Sequence, residues 1–163
     1  MIMGIGVDAI EIERFAAWHL FSRSQLRRIF SDTEIEYCLS VPAKSAERFA
    51  VRFAAREAFF KALCQAGIRV PFLTMCAQVR VEHSQQGAPV LLVDWSRLMA
   101  DGQKQKSGCG VRDSTGDVID GVPGSVVSGA FSGVNSEMRE ITVLLSLSHA
   151  QTVALAMVVL QRG

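Results

Sequence analysis

The stretch from Ala43 to Gln65 constrains the fold more than any other part of the chain. It is rich in alanine, has no internal glycine or proline, and is followed by Gly67 as a C-terminal stop, so it predicts one long helix of about six turns. Phe49, Phe53, Glu57 and Lys61 are spaced by four and share a stripe on it. Arg48, Arg52 and Arg56 make an adjacent basic stripe. On pattern alone, the aromatic half of the first stripe is core and its Glu–Lys end a solvated pair contributing about 0.2–0.5 kcal/mol.

The other elements arrange themselves around this helix. Ile2 to Asp8 reads as a buried strand whose Gly4 and Gly6 suit close backbone approach. Helical patterning begins near Glu11 and again over Gln25–Phe30. Ser31-Asp32-Thr33-Glu34 is a capping box opening a helix through Ile35, Cys38 and Leu39, and Pro42 ends it and opens the next element. Cys76 to Glu82 alternates as a strand, Gln85–Ala88 turns, and Val90 to Trp95 returns. Ser96 is positioned to cap a short helix through Leu98 and Met99. Ile141–Leu147 and Thr152–Leu160 are the last two strands. The predicted class is α+β, an antiparallel sheet packed on a long helix.

The chain has 163 residues, enough for one domain. Residues 102–139 differ in character: eight of the 13 glycines and six serines fall there. That is too long for an ordinary loop, so we read it as a Gly/Ser-rich insertion in a single domain spanning 1–163. A net charge of +1 argues against nucleic acid held through bulk positive charge. Cys38, Cys64, Cys76 and Cys109 show no metal-type spacing and read as free thiols, which suits a cytoplasmic setting. The N-terminus has no signal-peptide character. Ile141 to Leu160 is of membrane-spanning length, but its polar centre argues for two strands and against a span.

Three features are candidates for chemistry. Asp8 ends an apolar strand, either as a helix cap or as an acid beside a ligand. A carboxylate there and one from the long helix would make a hard oxygen site of the kind magnesium prefers. His149 lies at the turn between the last strands, either solvated or as a donor to phosphate. Arg14, Arg23, Arg27 and Arg28, interleaved with Trp18 and Phe21, form either a solvated helix face or a docking patch for an acidic partner.

Gly4-Ile5-Gly6-Val7-Asp8 followed by Ile10-Glu11-Ile12-Glu13-Arg14 resembles the opening motif of the holo-acyl-carrier-protein synthases. Arg28-Ile29-Phe30-Ser31, Glu34 and Glu36-Tyr37-Cys38 resemble their next block. Arg52 through Leu63 resembles their signature helix, and Ser146-Leu147-Ser148-His149 with Ala154, Ala156 and Val158-Val159 their C-terminal block. The resemblance implies the 4'-phosphopantetheinyl transferase fold of that family. It also implies transfer of 4'-phosphopantetheine from coenzyme A to a serine of apo acyl carrier protein, releasing 3',5'-ADP, in fatty acid biosynthesis. Asp8 and Glu57 would hold Mg²⁺, and Lys61 would lie by the transferring phosphate as electrostatic stabiliser or as proton acceptor, the first being favoured because an ammonium must lose its proton to be a base. Lys44, Arg52, Lys61, Ser148 and His149 would contact coenzyme A. The patch of Arg14, Trp18, Phe21, Arg23, Arg27 and Arg28 would receive the acidic carrier. The family implies homotrimers with sites between subunits.

The chain departs from the pattern in three places. The lysine before the signature glutamate is Arg56, which keeps the charge but changes the hydrogen-bonding geometry. The Gly-Lys-Pro turn is Gly87-Ala88-Pro89. The 102–139 insertion has no counterpart in compact members. Two other readings follow: a non-catalytic coenzyme A- or nucleotide-binding oligomer, and transfer to carrier domains of larger synthases.

Overall fold

The computed structural model describes residues 1–104 and 141–163. The predicted long helix is present as α3, Ser45–Gln65, and it organises the rest. Pro42–Lys44 forms a separate 3-10 turn with proline at its first position, so α3 starts two residues later than expected. It is closed as expected by Gly67 at φ +78°. Three antiparallel strands lie against α3 in the order β1 (Ile2–Glu11), β5 (Val153–Arg162), β4 (Ile141–His149).

Small residues bring helix and sheet together. Ala54, Ala58 and Ala62 recur every four positions on α3 and are fully buried. Gly4 and Gly6 lie opposite: a side chain at Gly6 would run into the Ala58 carbonyl, and one at Gly4 into the Ala62 carbonyl. The alternation predicted for β1 is therefore a packing requirement, because only glycine admits the helix backbone at this range. Ala154, Ala156, Val158 and Leu160 of β5 complete the buried face. The other side of α3 packs Phe49 and Phe59 into an aromatic cluster. There the Phe30 and Phe49 rings stand 5.2 Å apart and the Phe59 and Trp95 rings 6.0 Å apart.

Several boundaries differ from the sequence reading, each for a local reason. β1 continues past Asp8 to Glu11, because Ile10 and Glu11 still pair with Ala154 and Val153. The helical pattern after Glu11 becomes two 3-10 turns, Ile12–Phe15 and Trp18–Leu20. The short helix is α1, Arg23–Leu26, opened by a Ser22/Gln25 capping box, and α2 is Asp32–Leu39 with the predicted Ser31/Glu34 box. Cys76 and Ala77 are not in a strand. They end α4, Phe72–Ala77, which starts after Pro71, and Met75 and Cys76 are buried as helical core.

The alternation is satisfied by β2, Val79–His83, which pairs with β3, Pro89–Val93, across a turn containing Gly87 at φ +84°. Trp95 belongs to α5, Trp95–Lys104. Its cap is Asp94 rather than Ser96: Asp94 Oδ1 accepts from the Arg97 N–H at 3.1 Å and from Ser96 Oγ at 2.8 Å. Beyond residue 104, the expected insertion at 102–139 lies outside the described residues.

Candidate active site

β1 and α3 run alongside each other, and side chains alternate across a strand, so Asp8 shares the helix-facing side with Gly4, Gly6 and Ile10. It meets Lys61 there. Lys61 Nζ donates to Asp8 Oδ1 at 2.9 Å and to the Val7 carbonyl at 3.1 Å. The Asp8 side chain is only 14% exposed, whereas that of Lys61 is half in solvent. Glu57 lies one turn back along α3 and is partly buried. Burial pushes its carboxyl above the ordinary glutamate value, and the negative charge of Asp8 pushes it further; the Lys61 and Arg14 cations pull it partly back. Two carboxylates close enough to repel, with one ammonium bonded to the first, make a site short of positive charge. No cluster of three or more His, Cys, Asp or Glu side chains suited to a metal occurs among the described residues.

A second cluster forms at the other end of α3. Glu47 accepts from Lys44 Nζ at 3.2 Å through one oxygen and faces His149 Nε2 at 3.6 Å through the other. His149 is the last residue of β4, paired with Ala154, rather than a turn residue. Ser148 precedes it and so points to the opposite face of the sheet. Glu47 and Glu57 are ten residues apart on one helix, about 15 Å. The predicted residues thus form two groups, with Asp8, Glu57 and Lys61 in one and Lys44 and His149 in the other.

Arg52 stands between these groups along the helix. It is 4% exposed, and its guanidinium lies 4.2 Å from the centre of the Tyr37 ring; that of Arg48 lies 4.2 Å from the same ring. Arg52 Nη1 donates to the Arg48 carbonyl at 3.3 Å, but its Nε has no hydrogen-bond partner. Ser45 Oγ, about two turns back along α3 and also buried, has none either. A buried cation with an unused donor is poised for an anion.

The predicted docking patch is divided. Arg23 and Arg27 are occupied locally: Arg27 Nε meets Asp32 at 2.7 Å, and Arg23 lies 3.9 Å from Asp32 and 3.5 Å from Glu36. Arg14 and Arg28 form no ion pair among the described residues. Trp18 belongs to the aromatic cluster, 4.6 Å from Phe15 and 6.0 Å from Phe49 between ring centres, while Phe21 is 42% exposed.

Sequence reasoning missed Glu47, Tyr37 as a platform for two guanidiniums, and the partner of Arg56. The Lys44–Glu47 spacing is a readable helical pair, but the approach of His149 depends on the tertiary fold. The cavity of about 320 Å³ beside β2 and β3, lined by Ser31, Gln78, Arg80 and Asp94 among others, includes none of the predicted site residues.

Comparison with known proteins bears on the family and the fold. Residues 4–109 match the family model described as the 4'-phosphopantetheinyl transferase superfamily. The chain is 30% identical over 160 residues to the holo-[acyl-carrier-protein] synthase of Chloroherpeton thalassium, covering 98% of both chains. It is 37% identical over 113 residues to that of Treponema denticola, covering 68% of this chain and 85% of the relative. The fold is similar to the crystal structure of a holo-(acyl-carrier-protein) synthase from Bacillus anthracis in complex with CoA (3',5'-ADP). The TM-score is 0.62 at 23% identity, over 100% of this chain and 99% of that one. An α+β architecture with its antiparallel sheet on one long helix, the matched family model and a full-length relative lead to one conclusion: the chain belongs to the 4'-phosphopantetheinyl transferase superfamily, as an enzyme of the holo-[acyl-carrier-protein] synthase type.

Proposed function

We propose that the enzyme transfers 4'-phosphopantetheine from coenzyme A to a serine of an acidic apo acyl carrier protein, in the cytoplasm, as a step of fatty acid biosynthesis. The serine oxygen forms a bond to the phosphorus bearing the pantetheine arm. The bond from that phosphorus to the bridging oxygen breaks, 3',5'-ADP leaves, and the serine gives up its proton. The observation that carries this reading is the Asp8–Glu57 carboxylate pair with Lys61 bonded to one member and countering the other.

Two hard oxygen donors that repel each other fit Mg²⁺, whose remaining positions are ordinarily filled by water and phosphate oxygens. Asp8 and Glu57 would hold it, and it would neutralise charge on the pyrophosphate. Lys61 donates both of its hydrogen bonds to oxygen, so it acts as a fixed cation beside the transferring phosphate rather than as a proton acceptor. The unused donor of buried Arg52, with Lys44 and His149, supports contacts to the other coenzyme A phosphates.

We infer a homotrimer whose sites are completed between subunits. The outer face of the sheet is apolar: Ile5, Val7, Leu144, Leu155 and Met157 are all at least 39% exposed. A one-sided antiparallel sheet ordinarily turns polar residues outward, so this face calls for cover, and a second copy of the chain supplies it. His149 stands on the strand farthest from β1, beside Glu47 and away from its own Asp8 and Glu57, which favours its service to a neighbour's site.

The decisive experiment supplies coenzyme A and an apo carrier protein, with and without magnesium, and follows the carrier by intact-protein mass spectrometry. The phosphopantetheine mass gain is expected only with magnesium. Tight coenzyme A binding with no transfer to any carrier would favour the non-catalytic reading. Transfer confined to domains of larger synthases would redirect the partner assignment. At low salt, Arg14→Glu and Arg28→Glu should raise the KM for the carrier, because these two arginines of the patch form no ion pair among the described residues.

A further inference from the structure

Arg56 departs from the family pattern, and its surroundings explain the residue choice. The guanidinium is completely buried and all five of its N–H groups have acceptors. Nε donates to the Ile29 carbonyl at 2.8 Å. Nη1 donates to Glu34 Oε1 at 3.0 Å and to the Arg52 carbonyl at 3.2 Å. Nη2 donates to Glu34 Oε2 at 2.7 Å and to the Val79 carbonyl at 3.0 Å. The Phe30 ring lies 4.8 Å from the guanidinium carbon. Glu34 is equally occupied, accepting also from the Val81 and Ser31 N–H groups at 2.9 and 3.0 Å. A lysine carries three donors and no fork, so it could replace at most three of these five bonds.

The bonds join three pieces of chain. One is the turn of α3 that carries Glu57. The second is β2, through Val79 and Val81. The third is the segment 29–31, which continues directly from Arg28, one of the two patch arginines with no ion pair among the described residues. The bond from Arg56 Nε to the Ile29 carbonyl ties that segment to α3 by a hydrogen bond, beside the packing of Phe30 on the Arg56 guanidinium and the Phe49 ring. We propose that Arg56 is a positioning residue for transfer: with Glu34, it locks the carrier-docking segment at Arg28 to the helix turn holding Glu57, and so sets where the carrier's serine arrives. This rests on the transfer reading above.

The test is steady-state kinetics of Arg56→Lys in the full-length enzyme, with carrier protein and coenzyme A varied separately. The variant keeps the charge and loses the fork. The KM for the carrier is expected to rise fivefold or more while the KM for coenzyme A stays within twofold. A merely structural role would lower the active fraction and so the apparent kcat, leaving both KM values in place; that result would overturn the proposal. If Arg56→Lys does not fold, Phe30→Leu, which removes only the ring beside the guanidinium, should raise the carrier KM two- to threefold, and an unchanged value would equally overturn it. Absence of transfer by the unmodified chain on any carrier would instead be a failure of the transfer reading. The kinetics thus separate the two.

Discussion

Lys61 reaches across from α3 to the end of β1 and donates to Asp8 at 2.9 Å, joining residues 53 positions apart in sequence. The pair exists because Gly4 and Gly6 let the helix backbone settle against the strand. Its Lys61 end is half exposed, so its net contribution to stability is small, about 0–1 kcal/mol. In the transfer proposed above its importance is chemical: it would fix a cation and a carboxylate where phosphate charge must be handled.

Asp8→Asn should accordingly separate activity from stability. The substitution keeps the shape and removes the charge. Phosphopantetheine transfer should fall by about a hundredfold or more, the scale of losing one preorganised electrostatic group. The melting midpoint should move little. Mass-spectrometric transfer rates and a thermal melt on the same preparation check both halves. A variant retaining full rate would overturn the proposed role of Asp8 in holding Mg²⁺.

Glu57 gives the opposite trade. Burial, and then Asp8, raise its carboxyl above the ordinary value of 4.5. A glutamate raised on folding contributes stability that is fully present below its unfolded value and is lost as pH rises through its folded one. At neutral pH the ionised group therefore works against the fold. Glu57→Gln should melt higher than the unmodified enzyme at pH 7 in metal-free buffer, and the gap should close as the pH falls below about 4.5. Transfer activity should be lost in the same variant. Melts across a pH series read out the first part.

These two residues also show what the sequence could convey. The spacing of Phe49, Phe53, Glu57 and Lys61 places them on one stripe because helical periodicity is local. The glycine alternation near Asp8 is likewise local. That Asp8 and Lys61 touch is a tertiary fact, and only the family resemblance suggested that the two elements share a site. Where the reading slipped, a local signal had two solutions: Cys76 and Ala77 continued the alternation of Val79 and Val81 but were taken by the helix that starts after Pro71. The Glu34 capping box was legible. Its second use, holding Arg56, was not, because a cap and a buried ion pair ask for the same residue.

That ion pair makes the enzyme sensitive to acid. Burial alone would raise the Glu34 carboxyl, but the Arg56 guanidinium and the Val81 and Ser31 N–H groups outweigh it and hold it below 4.5. A depressed carboxyl contributes stability that is present above its unfolded value and lost as pH falls through its folded one. Glu34→Ala leaves a buried guanidinium unpaired, so it should cost about 3–5 kcal/mol at neutral pH. Its stability should then change less than that of the unmodified enzyme between pH 5 and the acid transition. Urea unfolding at several pH values measures both effects.

The outer face of the sheet yields the last prediction. Met157 sits in the central strand, opposite Val7 on one side and Ser146 on the other, and its side chain points away from α3. A charge there leaves the fold intact, since the site is already in solvent in the isolated chain, but it cannot be covered by an apolar neighbour without a desolvation cost of several kcal/mol. Met157→Lys should therefore convert a trimer to monomers in light scattering while leaving far-ultraviolet circular dichroism unchanged. Transfer activity should fall with it, because the Lys44–Glu47–His149 group and the Asp8–Glu57–Lys61 group stand at opposite ends of one helix. A monomer that keeps full activity would show that one chain suffices, and would remove His149 from the neighbour's site.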